Sequence, residues 1–240
     1  MKTIEIVYKT INVPAPFAHF YELELQIGRK IEAAYEVQSM GREDLTEEEI
    51  LEEGFTPDDD FSWKGEIDPV WKKSIEDLLS EGNSSDNKEL NEFTQTELTI
   101  RTVIDGKETN VTFYDNEILE YKIQEIVQAL FEKSGRELPL KVSLLHKKNG
   151  QSTNYEVTVS FAQRNSSILK EGKLIKDLNW ENAGSLMSLI YQPDYLLDTT
   201  KTQKDDLYIS FEKGHWFSVS EIEENERLSG FKQELLKFLN

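Results

Sequence analysis

The chain has 240 residues, 38% of them hydrophobic and 10% aromatic, which is apolar material for one large domain or two small ones. It has no cysteine, so disulfides, thiolate metal sites and thiol nucleophiles are excluded. Its net charge of -19 is uneven: Glu43 to Glu92 hold 18 acidic residues against 4 lysines, leaving 28 acidic and 23 basic residues elsewhere. A field of that sign repels nucleic-acid phosphate and anionic lipid and attracts basic proteins or cations, so neither nucleic-acid binding nor membrane association is expected.

The opening "MKTIEIVYKTINV" lacks the apolar run of a secretory signal, and no later segment approaches the ~20 apolar residues of a membrane span. A cytoplasmic location is the expectation. Within the opening segment, Ile4, Ile6 and Tyr8 alternate as in a half-buried strand. After the proline-containing "NVPAPFA", alternation resumes at Tyr21, Leu23, Leu25 and Ile27 and continues in phase through Ile31, Ala33, Tyr35 and Val37. The pattern reads as one long strand bulged at Gly28; the alternative is a turn at Gly28 and Arg29 joining two shorter strands.

The acidic region follows. In "LTEEEI", Thr46 is a helix cap, Glu49 bonds back to it, Leu45 can staple onto Ile50, and Glu47 to Glu49 fall in the first turn, where the helix dipole favours negative charge. Gly54 ends that helix. A second helix is capped by Asp68 with Pro69 at its first position, buries Val70, Trp71, Ile75, Leu78 and Leu79, and closes at Gly82. Between them "FTPDDDFSWKG" has no capping explanation and reads as a loop.

"EGNSSDNKE", residues 81–89, has no apolar residue and reads as a linker. It separates an N-terminal hairpin plus acidic helical region, residues 1–82, from a C-terminal region of hairpin-helix units, residues 90–240. The second region starts with two strands around Asp105-Gly106, then a helix from about Asn116 to Lys133. A hairpin turning at Asn149-Gly150 follows, with Tyr155, Val157, Val159 and Phe161 alternating. A helix spans Trp180 to Tyr191, and a final hairpin, "DLYISFEKGHWFSV", leads to the C-terminal helix "SGFKQELLKFLN". Leu98, Ile100, Leu119, Ile126, Val127 and Leu130 recur 109 residues later as Leu207, Ile209, Leu228, Leu235, Leu236 and Leu239. Matching hydrophobes alone read as coincidence. The fold expected is α+β, antiparallel β-hairpins with packed helices, in one body or two subdomains.

The twelve glycines are nowhere closer than eleven residues apart. This removes GxGxxG, GxxxxGK and GxSxG together, because each needs two glycines within six positions. His19, His146 and His215 are far apart, with no pair at helical ligand spacing, and the latter two read as exposed turn residues. No cofactor is expected. Asp58, Asp59 and Asp60 are hard oxygen donors suited to calcium or magnesium, with Asp58 and Asp60 the weak metal candidates. A calcium loop starting at Asp60 places Gly65 correctly, but Lys64 stands at a ligand position and Trp71 where the bidentate Glu belongs. A solvated loop is the simpler reading.

Trp71 belongs to the helix stripe, whereas Phe55 and Trp63 beside Asp58 to Asp60 form an aromatic and acidic recognition surface. The expectation is a binding protein, of inhibitor or immunity type, that uses Asp58, Asp59, Asp60, Phe55 and Trp63 to engage a basic protein partner. The alternatives are a divalent-metal-dependent hydrolase built on Asp58 to Asp60, and a DNA mimic whose carboxylates imitate phosphates.

Overall fold

The structure is a computed structural model and describes residues 2–82, 89–195, 204–212 and 214–239. These residues form two antiparallel six-stranded sheets with six helices, an α+β fold, divided into compact units at residues 1–137 and 138–240. No helix among them is long and apolar enough to cross a membrane.

The first unit runs β1 (Lys2–Thr10), β2 (His19–Ile27), β3 (Ile31–Ser39), α1 (Glu47–Glu52), β4 (Phe61–Ile67), α2 (Lys72–Gly82), β5 (Thr96–Ile104), β6 (Lys107–Tyr114) and α3 (Glu117–Ser134), with strand order β4-β3-β2-β1-β5-β6. The single long strand expected over residues 21–37 is two strands. Gly28 N donates to Lys30 O and Ile27 opposes Ile31. Three residues separate Ile27 from Ile31, an interval that preserves the two-residue phase, so alternation passes unbroken through the turn.

The boundary expected at 82–90 also moves. β5 pairs with β1 from Lys2 opposite Ile104 to Thr10 opposite Thr96, so β5, β6 and α3 complete the first sheet and the division falls after Glu137. Residues 83–88 of the expected linker lie outside the described residues. "FSWKG", the second half of the expected loop, belongs to the edge strand β4, whose exposed Ser62, Lys64 and Glu66 keep that edge wet.

The caps follow the sequence. Thr46 and Glu49 form the reciprocal box at α1. Asp68 accepts from Val70 N at a single 3-10 turn, Pro69–Trp71, that leads into α2. Trp71, Ile75 and Leu78 are fully buried there, whereas Val70 is exposed. α3 is capped by Asn116 and buries Leu119, Ile123, Ile126, Val127 and Leu130. α2 touches α3 and α3 touches β4, so the helices lie over the face carrying Ile4, Ile6, Leu23, Leu25, Leu98 and Ile100, all at most 5% exposed. Each such side chain contributes about 1.5–3 kcal/mol on leaving water. The other face of the sheet remains open.

The second unit runs β7 (Leu140–Lys148), β8 (Gln151–Ser160), β9 (Asn165–Lys170), β10 (Lys173–Leu178), α4 (Trp180–Ile190), β11 (Leu207–Ser210), β12 (Phe217–Ser218), α5 (Val219–Glu226) and α6 (Phe231–Leu239). Its core gathers Val142, Leu144, Val157, Val159 and Ile168 with Leu186, Ile190, Val219, Phe231 and Leu235. Its strand order, β10-β9-β8-β7-β11-β12, repeats that of the first unit strand for strand. The 109-residue spacing therefore has a structural basis: Leu98 and Ile100 lie on β5, and Leu207 and Ile209 on β11, the fifth strand of each unit.

Candidate functional site

The first unit carries every residue singled out as a partner-binding candidate, but the structure distributes them among different roles. Arg42 stands in a 3-10 turn, residues 42–44, after β3. Its Nε donates to Pro16 O at 3.1 Å and its Nη1 to Thr56 O and Asp59 Oδ2, both at 2.9 Å. Asp59 also accepts from Thr56 N at 2.9 Å and Thr56 Oγ1 at 2.7 Å. Burial pushes the Asp59 carboxyl up, but the hydrogen bonds from Thr56 and Arg42 outweigh it and hold the group below its ordinary range. Asp60 Oδ1 accepts from Ser39 N at 2.6 Å, fastening the loop to the end of β3. Asp58 is exposed. Two of the three consecutive carboxylates therefore hold the loop in place.

Phe55 is half-buried, with the Arg42 guanidinium 4.8 Å from its ring centre and Phe17 edge-on at 5.3 Å. It closes one side of a cleft of about 320 Å³ whose floor is an aromatic ladder. Tyr8 stacks on Tyr21 at 4.8 Å and His19 on Tyr8 at 5.3 Å, while Tyr35 meets Tyr21 tilted by 48° at 5.6 Å. The register explains the ladder: Tyr8 faces Tyr21 directly, while Tyr35 lies two residues from Val37, the partner of Tyr21, and so packs diagonally. Phe131 of α3 meets Tyr35 edge-on at 5.9 Å. Burial pushes the hydroxyls of Tyr21 and Tyr35 well above their usual range and that of Tyr8 up to about 12.

A second concavity, of about 360 Å³, lies on the open face of the same sheet and is lined by Glu22, Glu24, Ala34, Glu36, Ser62 and Lys64, with Trp63 among its walls. Trp63 folds back over Gly65, where a Cβ would come within 2.4 Å of the indole Cζ2. Here the register sets like charges opposite one another: Glu5 faces Glu24, Glu22 faces Glu36 and Glu32 faces Glu66. Arg101 reaches Glu5 and Lys30 reaches Glu66. Among the described residues no cation pairs with Glu22, Glu24 or Glu36.

The chain matches no protein-family model and no curated protein sequence. Its chemistry is therefore read from these sites themselves.

Among the described residues no group of three or more His, Asp or Glu side chains is placed to hold a metal ion. His19 begins β2 and lines the aromatic cleft. His146 is not a turn residue; it lies in β7 opposite Thr153 and Leu207, half-buried, and burial together with Lys232 and Lys148 lowers its pKa. His215 lies exposed before β12. Among the described residues of the second unit one carboxylate is buried, Asp206, 5% exposed. It accepts from Ser218 Oγ at 2.5 Å, Ser220 Oγ at 2.6 Å, Ser220 N at 3.2 Å and from Lys232 Nζ. With each partner donating to the carboxylate, Asp206 ties β11 to α5 and α6.

Sequence reasoning missed the open-face glutamates. "ELEL" and "EAAYE" look like ordinary polar alternation, and only strand register reveals that their carboxylates oppose one another.

Proposed function

We propose that the protein acts by binding a basic protein partner, through the open face of its first sheet, with Trp63 at the margin of the contact. The observation that carries this reading is the set of three directly opposed glutamate pairs on β1 to β4. Like charges in such positions destabilise a free sheet by about a few tenths of a kcal/mol each. A cationic partner converts that repulsion into attraction and accelerates its own association. The concavity at Glu22, Glu24 and Glu36 gathers acidic side chains, and Trp63 of the edge strand, in register with Tyr35 and folded over Gly65, borders it. Asp58 extends the negative field, while Asp59 and Asp60 are already engaged by Arg42, Thr56 and Ser39.

The roles of Asp59 and Asp60 decide which variant tests the idea. Replacing all three aspartates would loosen the loop as well as remove charge. The variant of choice is Glu22→Gln with Glu24→Gln and Glu36→Gln, which keeps side-chain size on an exposed face. Wild type and variant serve as baits in host lysate at low salt and at about 0.15 M ionic strength, followed by affinity measurement with the purified captive. A basic protein held by wild type, lost by the variant and weakened by salt supports the reading. Equal retention by both baits, or no captive at low salt, overturns it.

A further inference from the structure

We infer that the aromatic cleft bounded by Phe17, His19, Tyr21, Arg42, Phe55 and Phe131 binds a small, electrically neutral, planar heteroaromatic molecule bearing carbonyl or ring-nitrogen acceptors. This goes beyond the acidic-face reading and uses the opposite face of the sheet.

The size of the ligand follows from the cavity. At about 320 Å³ the cleft stands at the lower end of small-molecule sites, room for one or two fused rings. Its walls present six aromatic rings, so a planar guest finds stacked and edge-on contacts.

Its polarity follows from groups the fold leaves unspent. Tyr21 and Tyr35 are 6% and 5% exposed and line the cleft, yet neither hydroxyl meets a hydrogen-bond partner among the described residues. Neither oxygen is sealed inside the protein, so both hydroxyls face the cleft and can donate to a guest that takes the place of water there. Both stay protonated across the physiological range and therefore offer hydrogens to an acceptor. His19 lies with Nδ1 3.0 Å from Phe17 O. A carbonyl only accepts, so Nδ1 is the donor in this contact and Nε2 is the ring nitrogen left to a guest. Gln124 of α3 adds an amide at the wall.

Its charge follows from the wall opposite. Arg42 and Asp59 form an ion pair at 2.9 Å with their side chains 12% and 27% exposed, so the cleft is balanced inside a chain of net charge -19. An anion drawn to Arg42 meets Asp59, and a cation drawn to Asp59 meets Arg42. Arg42 also seats Phe55, which shapes the cleft before any guest arrives.

The test is a titration of the 15N-labelled full chain with 4-quinolone, followed by amide shifts. Benzamidine as cation, benzoate as anion and cyclohexanone as non-aromatic ketone are the comparison probes. Saturable shifts confined to the amides of His19, Arg42, Phe55, Gln124 and their neighbours are expected with 4-quinolone, with weaker binding of the other three. Tyr21→Phe with Tyr35→Phe removes the hydroxyls and keeps the rings, so the fold survives and affinity should fall by about fivefold for each hydrogen bond lost. Absence of saturable shifts, shifts centred elsewhere, equal binding of a charged probe, or unchanged affinity in the double variant each overturns the inference. The Glu22, Glu24 and Glu36 variant should bind 4-quinolone as wild type does, so failure of this site and failure of the acidic face are told apart.

Discussion

Asp206→Asn tests the account of the second unit directly. The aspartate is 5% exposed, and its two oxygens accept two serine hydroxyls, the backbone N-H groups of Ser220 and Leu207, and the Lys232 ammonium. Asparagine keeps one acceptor, turns the other oxygen into a donor facing donors, and leaves Lys232 without its counter-charge. Breaking a fully buried ion pair costs about 3–5 kcal/mol. Lys232 has its side chain 26% exposed and recovers some hydration, which reduces the expected loss to about 2–3 kcal/mol. For a unit of this size that is a fall in Tm of roughly 10 °C or more. Urea-dependent hydrogen exchange, resolved by peptide, is the assay: protection should drop across β7 to β12 and stay unchanged across β1 to β6.

The acid limb gives a second check. Burial pushes the Asp206 carboxyl up, but the bonds from Lys232, Ser218, Ser220 and Leu207 N bring it below its ordinary range. A depressed native pKa stabilises the fold above the unfolded carboxylate value, about pH 4, and that stabilisation is lost as pH falls through the native value. The asparagine variant should lack this part of the acid limb. A loss under about 0.5 kcal/mol, the range of ordinary surface substitutions, would refute the network as a determinant of stability.

Other expectations follow from the first unit. Thr46→Ala removes the α1 cap and should cost about 1 kcal/mol in urea melts, while Glu49, whose pKa is lowered by bonds from the Thr46 backbone and side chain, should lose its stabilising effect as pH drops below the usual carboxylate range. Arg42→Met unties Pro16, Thr56 and Asp59 together; a loss of about 2–4 kcal/mol with greater exchange at residues 55–60 is expected, and an unchanged loop would show that the pair is incidental. Gly65→Ala must displace the Trp63 indole, so a shift in tryptophan emission with about 1 kcal/mol of destabilisation is expected.

The sequence by itself determined the local structure, because local structure rests on contacts a few residues apart. The Thr46 box, the Asp68-Pro69 start of α2, the Asn116 cap and the two-residue turns at Asp105-Gly106 and Asn149-Gly150 all appear where the residues place them. Trp71 is buried with the α2 stripe for the same reason. The hairpin β9–β10 escaped because its turn is Glu171-Gly172, with a glutamate at positive φ that no turn preference announces. At Gly28 one bulged strand and two strands joined by a turn fit the pattern alike, because phase is blind to a three-residue turn, and the structure has the two. The acidic loop looked like the site because carboxylates are dense in it, yet density along a chain says nothing about which backbone N-H or guanidinium lies beside each one. Only tertiary structure decided that Asp59 and Asp60 fasten the loop and that Glu22, Glu24 and Glu36 converge across strands. It also brought Tyr21, Tyr35, Arg42 and Phe131 around one cleft. Those juxtapositions come from strand register and from helices folding onto a sheet, which are long-range pairings that no short stretch of residues encodes.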